Sequence, residues 1–255
     1  MLDEPYRWVE AIRNRREYLQ DQLAGASPVV ACRYADGLLL LTSTPGPRKI
    51  FEAYNQIAFA GVGHPADIEK LRKAVIDIAH LEAFNLSARD VSLQRLVNFG
   101  AGPLMKAAFD EIFRSPFIAR IMVAELDPTD DHETFSTVDA DGSFGAAQST
   151  AVIAGSPEVT EMILAQLPDD DEPAPLEQAL VTALRAWGVG RLRAEAGDDE
   201  FAEPTSAQIS AAIDRALVSI RLEAGVLDRT MQRKTKFRLL DQATLTSAVD
   251  AVRGA

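Results

Sequence analysis

Few residues of this chain have both a type and a spacing suited to chemistry. Cys32 is the only cysteine. It sits inside an apolar run with no base in view, so it reads as a buried structural thiol. The three histidines, His64, His80 and His132, lie far apart and show no metal-ligand spacing. His64 stands at a strand-to-helix corner and reads as a cap or surface residue; His80, on a long helix, reads as structural. "DPTDDHE" (127–133) gathers acids and one histidine. It lacks the Asp/Asn spacing and glycine of a calcium loop, and reads as a solvated hairpin tip. "DADGS" (139–143) is a turn, "PDDDEP" a solvated loop, and "GVG" (61–63) is too short for a phosphate cradle. No metal and no cofactor is expected. Two residues remain. Ser27 is a small hydroxyl residue at the mouth of the first strand, and Lys49 begins a later one. On residue type alone, Lys49 is a surface lysine.

The elements that must position them can be read in order. Residues 6–23, "YRWVEAIRNRREYLQDQL", predict a helix with Trp8, Ile12, Leu19 and Leu23 along one face. Asp3 or Glu4 supports its start with Pro5 in the first turn, and Gly25 stops it. "VVACRY" (29–34) and "LLLLT" (38–42) flank an Asp-Gly turn, a hairpin signal. "KIFEAY" (49–54) and "QIAFAGVG" (56–63) form a second pair around Asn55. Runs such as "LLLL" predict strands buried on both faces. Between the pairs, the prolines of "STPGPR" make a corner.

A helix follows over about 65–83, and a second over about 88–113, kinked or split at Gly102-Pro103. Strands return at 117–126, 133–139 and 144–155, with a turn at Asp141-Gly142. Ser156 is a candidate N-cap with Pro157 behind it and Val159 and Met162 on the apolar face. Residues 175–188 are helical, 189–206 an exposed insertion, and the chain closes with a hairpin and a final helix. Segregated blocks of strands and helices indicate α+β, with sheets inside and helix pairs outside.

The 255 residues, 47% of them hydrophobic, are enough for one large domain over 1–255 with a sizeable core, or for two small domains. A net charge of −12 disfavours nucleic acid and anionic membranes as partners. One cysteine allows no intrachain disulfide. No apolar run approaches the roughly 20 residues of a membrane span. "MLDEPYRWVE" has no signal-peptide apolar core, so the expected compartment is the cytoplasm.

With these segments in order, the chain resembles the proteasome subunits, the α-type more than the β-type. The resemblance rests on the helix before strand one, "SPVVACRYADGLLLL", "RKIFEAYNQIAFAGVG" with the helix "DIEKLRKAVIDIAHLEAFNL", and "IMVAELD…FSTVDADGS…AVIAGSPE". The run from Lys49 through "IAFAGVG" to Asp67 is similar to bacterial α subunits of the actinobacterial type. The resemblance implies the four-layer αββα sandwich of the N-terminal nucleophile hydrolases, with an extra N-terminal helix. It also implies heptameric rings, two α rings capping two β rings, and unfolded proteins as substrates.

Two functional expectations follow from it. β-type subunits cut themselves before an N-terminal Thr, whose hydroxyl is activated by the free amine and a lysine. An Asp and an Arg hold that lysine. Ser27 falls in the nucleophile column, but Ala26 replaces the usual glycine and Pro28 follows. The columns of the Asp and Arg fall near Ser43 and Pro45, which carry no charge. Lys49 falls in the column of the lysine. The resemblance therefore implies an uncut, non-catalytic α-type subunit that forms the outer ring, restricts substrate access and docks a ring-shaped AAA+ ATPase. In that role Lys49, assisted by Arg48, would line the pocket between neighbouring subunits and accept the terminal carboxylate of an activator tail. Trp8, Arg13 and Arg16 are candidate subunit contacts. Residues 1–5, a short segment, would make a partial or easily opened gate at the pore, and the long kinked helix would face the β ring. The alternative is a divergent self-processing hydrolase using Ser27 with Lys49 as its base. A ring or binding scaffold without a β partner is a third, weaker reading.

Overall fold

Val29–Tyr34 (β1) and Gly37–Thr44 (β2) are the first hairpin, and nearly every residue in them is buried. Successive side chains of a strand point to opposite faces, and here both faces meet protein. Val30, Cys32, Tyr34, Leu39 and Leu41 pack into a core shared with helices. Val29, Ala31, Leu38 and Leu40 pack into a different one, shared with strands. That two-sided burial explains the unbroken "LLLL". In this computed structural model, residues 4–111, 113–126, 134–168, 173–197 and 201–254 are described, with 4–7 described as backbone alone.

The second hairpin is Ile50–Tyr54 (β3) and Ile57–Gly63 (β4), followed by Ala119–Glu125 (β5), Thr134–Val138 (β6), Phe144–Ala147 (β7), Thr150–Ile153 (β8), Arg221–Asp228 (β9) and Phe237–Leu239 (β10). They make two five-stranded antiparallel sheets, ordered β10-β9-β2-β1-β8 and β3-β4-β5-β6-β7. The sheets face each other across Val29, Leu38, Leu40, Ile50, Ala58, Ala60 and Met122.

Helices cover both outer faces. Pro65–Asn85 (α2, after the N-terminal helix α1, Glu4–Leu23) lies on the β3–β7 sheet with Leu93–Leu96 (α3) and Gly102–Asp110 (α4). On the other sheet lie Pro157–Leu164 (α5), Leu176–Ala196 (α6), Ser206–Leu217 (α7) and Gln242–Arg253 (α8). The expected αββα sandwich with an N-terminal helix is what the chain forms.

Several local expectations are met for stated reasons. Ser156 caps α5, its hydroxyl accepting from Val159 N at 3.3 Å, with Val159 buried and Met162 half-buried. His64 caps α2 by accepting from Ala66 N at 3.3 Å. The kink at Gly102-Pro103 is a wide turn of π-helix, Val97–Ala101, which joins α3 to α4. The Gly102 N–H reaches back to Val97 O, so the ladder continues past a proline that cannot donate.

Other boundaries differ. Residues 88–92 are not helical, because Ser92 starts α3 as its cap. The single strand expected over 144–155 is two, one in each sheet, so the chain crosses the sandwich at 148–149. Helix α6 does not end at Gly188, and the insertion expected over 189–206 is half helix: α6 runs to Ala196 with Val189 and Gly190 buried. Gly188 and Gly190 are close-approach sites, not stops. A Cβ at Gly190 would lie 2.3 Å from Ile163 of α5, and one at Gly188 would lie 2.9 Å from Ile209 of α7. Helix α7 was not expected at all, yet Thr205 and Gln208 form a full capping box at its start. "DPTDDHE", with His132, and residues 169–172 of "PDDDEP" lie outside the described residues.

Candidate functional site

The corner "STPGPR" between β2 and β3 places both candidate residues beside one pocket. Its walls are Gly25–Ser27, Thr44–Lys49, Gly63, Pro65, Ile68, Arg191 and Ile220, and its volume is about 430 Å³. Ser27 enters from the link between α1 and β1. Lys49 is the residue before β3. Arg191 arrives from the part of α6 that sequence reading placed in an insertion.

Lys49 is held by its backbone. Glu223, buried on β9, accepts from Lys49 N and from Ile50 N, each at 3.0 Å. One carboxylate thus ties the start of β3 in one sheet to β9 in the other. Burial holds the Glu223 carboxyl above the usual carboxylate range, against the pull of those two backbone donors and of Arg48 and Lys49. The Lys49 ammonium donates to the backbone oxygen of Ser27 at 3.4 Å. Burial lowers its pKa to about 8; Glu223 opposes the shift and Arg191 adds to it. Arg48 is exposed at the pocket's edge.

The Ser27 hydroxyl is engaged elsewhere. It lies 2.7 Å from the Ser43 hydroxyl, and the fully buried Trp187 of α6 donates to it from Nε1 at 3.3 Å. So Ser43, in the column where a self-processing site needs an Asp, is bonded to the hydroxyl itself and brings no charge. Pro45, in the Arg column, is a bare pocket wall. The chain before Ser27 is tied down. Ala26 N donates to Leu23 O at 2.8 Å, and Leu19 and Leu23 of α1 close a small core with Phe109 and Ala140. Gly155 lets β8's end approach this link: a Cβ there would lie 2.3 Å from Leu23 O.

Helix α1 is anchored by Ile12, which packs on the same small core as Leu19 and Leu23, and by Arg15. Arg15 donates from Nη2 to the carbonyls of Ala108, Glu111 and Arg114 at 2.9, 3.1 and 2.6 Å, satisfying the frayed end of α4. Arg16 reaches Asp141 at 3.4 Å and Arg13 pairs with Glu17 at 3.9 Å, both within the chain and both exposed. Trp8 remains 50% exposed beside Val9, and Tyr18 is also exposed.

Cys32 is buried, and desolvation pushes its thiol up to about 12, which keeps it protonated and inert. His80 stacks edge-on against Tyr54 at 5.5 Å. No metal-holding cluster occurs among the described residues. Trp187, Glu223 and Arg191 were missed by sequence reading. A signal existed for Glu223, an acid inside the apolar strand "RLEAGVL". For Arg191 there was none once α6 was ended at Gly188.

The family described as "Proteasome subunit" matches residues 25–199. About nine tenths of the chain is similar to proteins named proteasome subunit alpha. That of Actinosynnema mirum is 31% identical over 90% of this chain and 81% of its own length. That of Frankia alni is 31% identical over 92% and 90%, and that of Acidothermus cellulolyticus 30% identical over 91% and 91%.

Proposed function

The chain belongs to the proteasome subunit family, on its α-type side, and from that premise we propose that it is a non-catalytic ring subunit. It assembles into a heptameric outer ring on proteasome β subunits in the cytoplasm, restricts access for unfolded protein substrates, and docks an AAA+ ATPase through the Lys49 pocket. Among the described residues no helix is long and apolar enough to cross a membrane.

The observation that carries the non-catalytic reading is the setting of Ser27. A cut before it would release α1, and with it the Leu19 and Leu23 side chains that close the core on Phe109. Exposing that cluster forfeits several kcal/mol of apolar burial, at about 2 kcal/mol per leucine. The hydroxyl is bonded to Ser43 and Trp187, while Lys49 donates to the Ser27 carbonyl instead. A nucleophile needs its base on the hydroxyl. Intact mass after incubation with candidate β subunits is expected to match the full chain, with no covalent capture by a β-lactone. Loss of residues 1–26, or a lactone adduct on Ser27, would establish the hydrolase reading in its place.

Trp8 and Val9 in the first half of α1 and Tyr18 in the second are exposed, which supports a ring contact along this helix. Arg13 and Arg16, on the same helix, would contribute at its margin. The proposed gate, residues 1–5, begins outside the described residues, which start at Glu4. Assembled particles lacking residues 1–5 are expected to hydrolyse peptides several-fold faster than intact ones. Equal rates would remove the gate from the proposal.

A further inference from the structure

The Lys49 pocket has an unusual charge balance for a chain of net charge −12. Among the described residues three of its lining residues are cations, Arg48, Lys49 and Arg191, and none is an acid. The rest of the wall is apolar or small, with Ile68, Ile220 and three prolines. A pocket of several hundred Å³ with apolar walls and a few convergent charges is the usual form of a ligand site.

Two acids beside these cations are already engaged. Glu223 accepts from two backbone N–H groups. Glu195 is shared: it takes Arg191 at 3.4 Å and Arg215 of α7 at 3.1 Å. The Arg191 Nε is buried and has no hydrogen-bond partner among the described residues. An arginine with a buried, unspent donor, lining the same pocket as a lysine with no acid among the described walls, is suited to an anion. Its field is felt at Lys49, where it opposes protonation.

We propose that Arg191 is a second cationic anchor of this pocket, so that the bound chain end is selected by a free carboxylate held between Lys49 and Arg191 with an apolar last side chain against Ile68 and Ile220. The inference rests on the tail-docking reading of Lys49 and adds a residue from α6 to it. An arginine binds a carboxylate through its planar fork, and adds orientation that an ammonium alone does not provide.

The test uses the full-length protein and two synthetic probes, acetyl-Ala-Val-Leu as free acid and as amide, titrated by calorimetry or NMR at pH 7. The wild type is expected to bind the acid at least tenfold tighter than the amide. Arg191→Gln is expected to lose about tenfold for the acid and nothing for the amide, and Arg191→Lys to recover most of the loss. Removing the neighbouring cation also raises the Lys49 pKa. The alkaline decline of acid binding therefore moves to higher pH in Arg191→Gln, which a merely structural defect would not produce. Melting temperatures serve as the folding control. An unchanged acid-to-amide ratio in Arg191→Gln, with binding abolished in Lys49→Met, overturns the inference and leaves the docking reading standing. Unchanged binding in Lys49→Met, or no preference for the acid in the wild type, overturns both.

Discussion

Replacing Lys49 with methionine is expected to weaken binding of a carboxylate-ended activator tail by about 30-fold or more. Truncating one partner of a desolvated, hydrogen-bonded charge pair costs about 2–5 kcal/mol, and each 1.4 kcal/mol is tenfold. Methionine keeps the apolar stem and removes only the charge, so the pocket walls stay in place. The measurement is the affinity of a fluorescent tail peptide from the partner ATPase, in its acid and amide forms. Loss confined to the acid form identifies the ammonium as its receptor. Equal loss for both would show that the substitution disturbed the pocket, and no loss would remove Lys49 from the docking site.

The same interaction carries a pH dependence whose sign follows from the lysine. The charged form binds the carboxylate, and in the free protein it is populated below about pH 8. Tail affinity is therefore flat below pH 7 and begins to fall near pH 8. It continues to fall until the pH exceeds the higher pKa that the bound carboxylate confers. The groups facing the ammonium set this point: Glu223 from β9 raises it and Arg191 from α6 lowers it. An unburied lysine would hold its affinity to about pH 10. A flat profile from pH 7 to 9.5 would contradict the desolvated position of Lys49.

These expectations join residues that differ in how readable they were. The two hairpins, the long α2 and the α+β layering follow from short-range patterns: alternation, Asp-Gly turns, and apolar residues at three- and four-residue spacing. Lys49 stood out only because its place matched a family pattern; as a lysine before a strand it looked ordinary. The second half of the pocket was not legible. The expected helix ends at Gly188 and leaves Gly190 in an exposed insertion, and glycine is the poorest helix former after proline. Their purpose is tertiary: α5 and α7 pack against α6 where a Cβ would collide. Ending α6 early hid Arg191 in a supposed insertion. It also left no reason to expect Trp187 beside Ser27, although the two are 160 residues apart in sequence and hydrogen-bonded. Strand breaks behave alike. "FGAAQSTAVI" has one continuous β pattern, and only the pairing of β7 with β6 and β8 with β1 divides it between sheets.

The largest effect on assembly is expected at the far end of α2. Phe84 is 88% exposed and Phe99, on the π-helical turn that packs against α2, is 75% exposed; Leu81 on α2 and Leu86 just after it are exposed as well. Four large apolar residues left open on neighbouring elements are costly for a monomer to display and mark an interaction surface. Their setting is rigid. Arg95 bonds Glu82 of α2 at 2.5 Å and stacks over Phe99 at 5.9 Å, which fixes the turn against the helix. The two helical segments are the pair that the family resemblance assigns to the β-ring face. Phe84→Asp combined with Phe99→Asp is expected to block co-assembly with β subunits. Each anchor is of the aromatic kind that costs about 2 kcal/mol or more when removed, and each aspartate adds an unpaired buried charge. The free chain should melt within a few degrees of wild type, because neither ring fills the core. Native mass measurement then reads the outcome: α rings that persist without β rings support a β-facing surface. Full double rings at wild-type yield would show that this apolar patch does not face the β ring.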